Sequence, residues 1–170
     1  MARILLVLLI IIFCGCDKNK SSTTSDMEII QDTVLVTKSD IQKINFTEFI
    51  LDPKFEKSLN WLKFKEMETR IQELKNGDLS HFNSDTKIVE TALNEFTNTL
   101  PLHLREEAIE SRILIVKTMY LRLYNIVNIS TSSKENIKKA IEDLLESFSN
   151  LTYQINKKFE RDSQKVSKPD

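Results

Sequence analysis

Seven apolar residues near the end of the chain stand at a spacing that only a long helix puts to use. Ile137, Ile141, Leu144, Phe148, Leu151, Ile155 and Phe159 follow one another at steps of 4, 3, 4, 3, 4 and 4. Steps of three and four keep side chains on one face of a helix, whereas a half-buried strand needs a step of two. A stripe of this length has to be covered, so the chain must supply at least one more helix with an apolar face.

The shortage of turn residues points the same way. Gly15 and Gly77 are the two glycines, and Pro53, Pro101 and Pro169 the three prolines. All-β folds and phosphate-cradling loops draw on far more glycine than that, while long helices joined by a few turns do not.

The rest of the chain supplies the covering faces. Residues 28–36, EIIQDTVLV, fit a short helix or a strand and are read as helix because no second strand is evident to pair with, and from Ile41 to Leu74 the pattern is helical. Phe46, Phe49 and Ile50 precede Pro53, which suits the first turn of the next helix. On that helix Trp61, Phe64, Met67, Ile71 and Leu74 form one stripe, and Phe55, Leu59 and Leu62 a second beside it. Asn76-Gly77 ends it, with glycine where a left-handed cap is wanted. Ser84 is placed to cap a shorter helix carrying Val89, Leu93, Phe96 and Leu100, and Pro101 breaks it. The next helix begins at Glu106, Glu107 and Glu110, acids that favour a helix N-terminus. Its stripe is Ile109, Ile113, Val116, Tyr120, Leu123 and Val127; Leu114, Ile115, Met119 and Leu121 lie off it. Apolar on most sides, it should be the most buried helix. Ser132-Ser133-Lys134-Glu135 opens the last helix with a capping-box pattern, and the polar tail from Asp162 should fray. The short connection NISTSS requires those two helices to run antiparallel. The fold class is therefore all-α: an antiparallel helical bundle of about four main helices.

The N-terminus has a different character. Arg3 precedes an unbroken apolar run from Ile4 to Phe13, too short for the roughly 20 residues that span a bilayer. Behind it come Cys14, Gly15 and Cys16, then the polar stretch DKNKSSTTSDM. No further cysteine exists to complete a metal site or a separate disulfide. The segment resembles a bacterial lipoprotein signal, which ends in a small residue followed by the cysteine that becomes lipidated. Gly15-Cys16 meets that requirement; Cys14, behind the bulky Phe13, does not. Phe13 also stands at the third position before Cys16, where leucine is more usual. The resemblance implies a signal peptide over residues 1–15, lipidation at Cys16 and a tether over 16–27. The bundle domain then covers 28–162 and a polar tail 163–170. Several acyl chains on one residue make a stable anchor, and the tether reaches roughly 35 Å when extended.

The phrases LKNGDLSHF, AIESRILIVKTMYLRLYNIV and SFSNLTYQINKKFE are similar to a family of small helical lipoproteins of Bacteroidota. That resemblance implies a helical fold and an envelope location, and implies no activity, cofactor or catalytic residue.

Candidate chemistry is sparse. With 24 basic and 25 acidic side chains and a formal charge of −1, nucleic-acid binding has no electrostatic support. His81 and His103 belong to no Glu-x-x-His pair, and Asp78-x-x-His81 is a single copy where a bundle di-metal site needs two. Loop or helix-end histidines are the better reading, and no metal or other cofactor is expected. No Gly-x-Ser-x-Gly elbow occurs, and the carboxylates stand at helical spacings to lysines, which reads as solvated pairing. Arg112 sits about 40° from Val116 and about 60° from Ile109 around its helix, at the edge of the stripe. It is better read as an arginine with its stem on the core than as an inward grip on an acidic ligand. Asp32-Thr33-Val34 resembles the short Bacteroidota O-glycosylation pattern, which would modify Thr33; an ordinary exposed threonine is the equal alternative. The expected function is a membrane-anchored, non-enzymatic envelope lipoprotein whose bundle meets an envelope protein partner. The alternative is a bundle that carries a small apolar ligand in a core gap lined by Phe, Met and Tyr.

Overall fold

Four long helices lie side by side because each presents an apolar face to the others. The computed structural model describes residues 36–164, all within the second of the chain's two units, Thr33–Asp170. Six α-helices occur among them: α1 (Lys38–Ile41), α2 (Glu56–Leu59), α3 (Leu62–Lys75), α4 (Thr86–Asn98), α5 (Glu107–Val127) and α6 (Lys134–Ser163). Short 3₁₀ turns at Pro53–Phe55, Ser80–Asn83 and Leu102–Leu104 join some of these, and no strand occurs among the described residues. Helices α3 to α6 run up and down in turn, as the pairs Lys63–Glu95, Lys117–Asn94, Arg122–Asp143 and Arg161–Glu106 show. The expected antiparallel bundle is the fold.

The helix ends follow local chemistry. Thr37 and Asp40 form a reciprocal capping box on α1. After α3, Gly77 adopts φ +90°; its N–H donates to the Leu74 carbonyl at 2.9 Å and that of Asp78 to the Glu73 carbonyl at 3.0 Å. This is the double bond of a Schellman cap, and glycine is the residue that reaches it without strain. Two expected caps are displaced by one residue. Asp85, not Ser84, accepts from the Lys87 N–H to open α4. Ser133, not Ser132, opens α6 by accepting from Asn136, while the Ser132 hydroxyl turns back to the Ile126 carbonyl. A box between Ser132 and Glu135 therefore does not form.

Several larger expectations are corrected. Helix α6, with thirteen buried residues against five on α5, is the most buried element. Leu114 and Ile115 of α5 are 55% and 48% exposed, because they lie off the faces of α5 that meet α4, α6 and the Ser80–Asn83 turn. Residues 44–52 form an irregular strap rather than a helix, and α6 satisfies four of its backbone groups as described below. The helix expected to run unbroken from Pro53 to Leu74 is interrupted at Asn60, whose φ of 39° and ψ of 46° are left-handed. Leu62, just past the break, is 71% exposed rather than part of a buried stripe. The tail also starts later than expected, because Asp162 lies within α6 and pairs with Lys158. Of the expected helix over 28–36, Val36 is described and is not helical; residues 28–35 lie outside the described part.

The core is aromatic at its centre. Phe64 stacks on Phe148 at 5.1 Å, Trp61 on Phe96 at 5.0 Å, and Phe82 meets Tyr120 at 4.6 Å between ring centroids. Such offset contacts add about 0.5–1.5 kcal/mol each beyond the area they bury.

Candidate functional site

The extended segment is the least ordinary feature of the bundle, and it is built by two polar residues of α6. Ser149 and Asn156 stand seven apart, two helical turns, and so share a face. The Ser149 hydroxyl accepts from the Phe49 N–H at 2.6 Å and donates to the Thr47 carbonyl at 2.7 Å. Asn156 repeats the arrangement, accepting from the Asp52 N–H at 3.0 Å and donating to the Ile50 carbonyl at 2.8 Å. Each side chain thus supplies one donor and one acceptor, replacing the partners a strand would find in a sheet. The segment, running parallel to α6, is held through its backbone, which leaves its side chains to face either way.

Leu51 turns inward and is 8% exposed, while Phe49 and Ile50 turn outward at 37% and 68%. Phe49 meets Tyr153 of α6 with ring centroids 4.7 Å apart, and the Lys157 ammonium lies 5.5 Å from the Tyr153 ring. Phe49, Ile50 and Tyr153 form an aromatic and apolar patch with a cation at its rim. Beneath the segment, between Ile71, Leu145 and Phe148, the free space is about 20 Å³. That is room for about one water molecule and not for a larger ligand. An open groove of about 360 Å³ lies between α3 and α4, lined by Lys63, Glu66, Arg70, Lys87, Ile88 and Glu95 among others. Lys63 is neutralised there by Glu66 and Glu95, each at 2.8 Å, and those bonds raise its pKa above the ordinary lysine value.

Other polar groups serve the fold. Glu106, at the start of α5, takes both Arg161 and the nearly buried Lys158 of α6, tying the far ends of the hairpin together. Lys134 at the start of α6 pairs with Asp40 of α1 at 2.7 Å. Those bonds, with that of Thr37, hold the Asp40 carboxyl well below the ordinary aspartate value of 3.8. The Tyr120 hydroxyl is fully buried and makes no hydrogen bond of ordinary geometry among the described residues, although the Arg70 guanidinium approaches it and Glu73 also faces it. Burial pushes its pKa above the ordinary 10.0.

The residues singled out in the sequence scatter. His81 bonds the Glu73 carboxylate at 2.7 Å on the surface of α3, and His103 packs its ring near Phe159 at the opposite end of the bundle. Among the described residues no three His, Cys, Asp or Glu side chains converge as metal ligands would. Arg112 is half-buried and its head donates to the Ala108 carbonyl of its own helix at 2.8 Å, so it grips nothing outside α5. Cys16 and Thr33 lie outside the described residues, and no described helix is long and apolar enough to cross a membrane. Sequence reasoning missed Ser149 and Asn156, because a Ser and an Asn on a long helix look like any exposed polar pair. Their seven-residue spacing was the one available signal.

The class defined by these observations is an all-helical, up-and-down bundle with a strap laid along its last helix. No family model, curated protein or solved structure matches the chain.

Proposed function

We propose that the chain is a membrane-anchored envelope lipoprotein whose bundle is a non-catalytic interaction or structural module. The anchor rests on Gly15-Cys16 behind the apolar run from Ile4 to Phe13. The observation that supports partner binding is the outward patch of Phe49, Ile50 and Tyr153, with Lys157 at its rim. Clustered aromatic residues with a neighbouring cation are the anchors that protein interfaces favour, and they lose little side-chain entropy on docking. The carboxylates and cations of the bundle are largely engaged in pairs between or along helices, which fits a scaffold. The rival reading, a small apolar ligand in the core, gains no support from the 20 Å³ beneath the strap.

Three measurements test this. Metabolic labelling with a fatty-acid probe should mark the parent and Cys14→Ser chains and fail on Cys16→Ser. Labelling that followed Cys14 instead would move the anchor, and labelling of neither would remove it. The double change Ile50→Asp and Tyr153→Ala should abolish crosslinking to an envelope partner while helical content stays unchanged. A crosslinked set identical to the parent's would sink this face as the binding surface. A small molecule bound to the native protein in mass spectrometry would favour the rival reading.

A further inference from the structure

The break at Asn60 is out of keeping with its own sequence. Phe55, Leu59 and Leu62 continue the helical period straight through it, yet the chain bends there through a left-handed residue that is not glycine. Asparagine tolerates that conformation better than most residues, though less freely than glycine. The bend also receives little local help. Among the described residues no side-chain hydrogen bond holds Asn60, and no side chain caps the start of α3 at Trp61. Leu62 is left 71% exposed. One ion pair crosses the bend, between Lys65 and Glu56 at 3.3 Å, and both side chains are well exposed.

Everything before the bend is attached in a way that another molecule can reproduce. The strap is held by Ser149 and Asn156 through its backbone, α1 by the Asp40–Lys134 pair, and Phe55 of the 3₁₀ turn stacks on Phe159 at 5.0 Å. These partners belong to α6; α3 and its cap add the Glu48–Lys75 pair at 2.6 Å and the close approach of Gly77 to Lys38, which a second copy would supply equally.

We propose that residues 36–59 exchange between two copies of this chain, with Asn60 as the hinge, giving a dimer in which each strap lies along the α6 helix of the other copy. In that form Pro53 to Lys75 becomes one helix roughly 35 Å long. Leu62 then joins Phe55 and Leu59 on a single face, and the left-handed residue disappears. Exchange replaces each strap contact with an identical one from the second copy, so the contacts themselves do not favour either form. The balance is left to the hinge and to the entropy of association. This makes the second copy the occupant, because its strap fits the α6 face by construction. The inference does not depend on the lipid anchor.

The test uses the full chain with Cys14→Ser and Cys16→Ser, so that only introduced thiols react. One tagged copy carries Phe49→Cys and a differently tagged copy carries Tyr153→Cys, positions whose rings lie 4.7 Å apart. The two are co-expressed and treated with a short bis-maleimide. A covalent species containing both tags is expected. Asn60→Ala, which makes the left-handed bend costlier, should raise its yield about fivefold. Asn60→Gly should lower the yield, because glycine eases the bend and weakens the continuous helix. Should Asn60→Ala lose its helical circular dichroism, the parent and Asn60→Gly chains decide the matter between them. Crosslinking confined to a single chain carrying both cysteines overturns the proposal. So does a mixed-tag species whose yield ignores residue 60, since that would be a contact between intact monomers.

Discussion

Removing one oxygen atom should make this protein more stable. Tyr120 is 0% exposed and its hydroxyl makes no hydrogen bond of ordinary geometry among the described residues, so folding strips it of water and returns little beyond the pull of the Arg70 charge. Leaving a buried donor unsatisfied costs about 1–3 kcal/mol. Tyr120→Phe keeps the ring, its contact with Phe82 at 4.6 Å and its place on α5. The void left by the oxygen, roughly 15 Å³, returns about 0.4 kcal/mol at about 24 cal/mol per Å³. The net gain is therefore about 0.5–2.5 kcal/mol, which for a domain of this size raises Tm by about 2–8 °C. Urea denaturation of the domain from residue 27 onward, followed by circular dichroism and by the fluorescence of Trp61, measures it. The gain should widen above pH 10, for a reason of sign. Burial raises the folded phenol above its ordinary 10.0, so the unfolded chain ionises first as the pH climbs and draws the equilibrium toward itself. A phenylalanine has nothing to ionise. A variant less stable than the parent by about 1 kcal/mol or more would refute the reasoning, because the hydroxyl would then be making a real bond, with Arg70 the candidate.

Three further outcomes are expected. Phe148→Ala removes a ring that is 6% exposed and stacked on Phe64, and should cost about 3–5 kcal/mol in the same denaturation assay; an unchanged midpoint would mean that this face is not core. Gly77→Ala should destabilise by more than the roughly 1 kcal/mol of a left-handed alanine, because the new Cβ would lie 3.0 Å from the Lys38 backbone nitrogen; a neutral result would mean that α1 is free to move away. Asp40, whose carboxyl is held below 3.8, contributes stability that is complete above the unfolded value and lost as pH falls through the folded one. Asp40→Asn should therefore lose stability at pH 7 and show a shallower decline than the parent below about pH 4. Parallel acid profiles for the two proteins would count against that role.

What the sequence determined by itself is whatever a helix decides locally. The stripe from Ile137 to Phe159 is buried along its length, Gly77 caps α3, Pro101 follows α4, and the short NISTSS link makes α5 and α6 antiparallel. Each depends on residues within a turn or two, where the period of the helix and the geometry of its ends leave few alternatives. Tertiary structure decided the rest. Residues 44–52 have apolar spacing fit for a helix, but four of their backbone groups find partners in Ser149 and Asn156, about a hundred positions away. Burial of α6 over α5 has the same origin: both are apolar, and only α6 has α5 against one side and the strap against another. The bend at Asn60 goes against its local period, which Phe55, Leu59 and Leu62 continue on either side of it. A chain's periodicity says which faces want burial; which neighbour covers them is settled only when distant segments compete for the same surface.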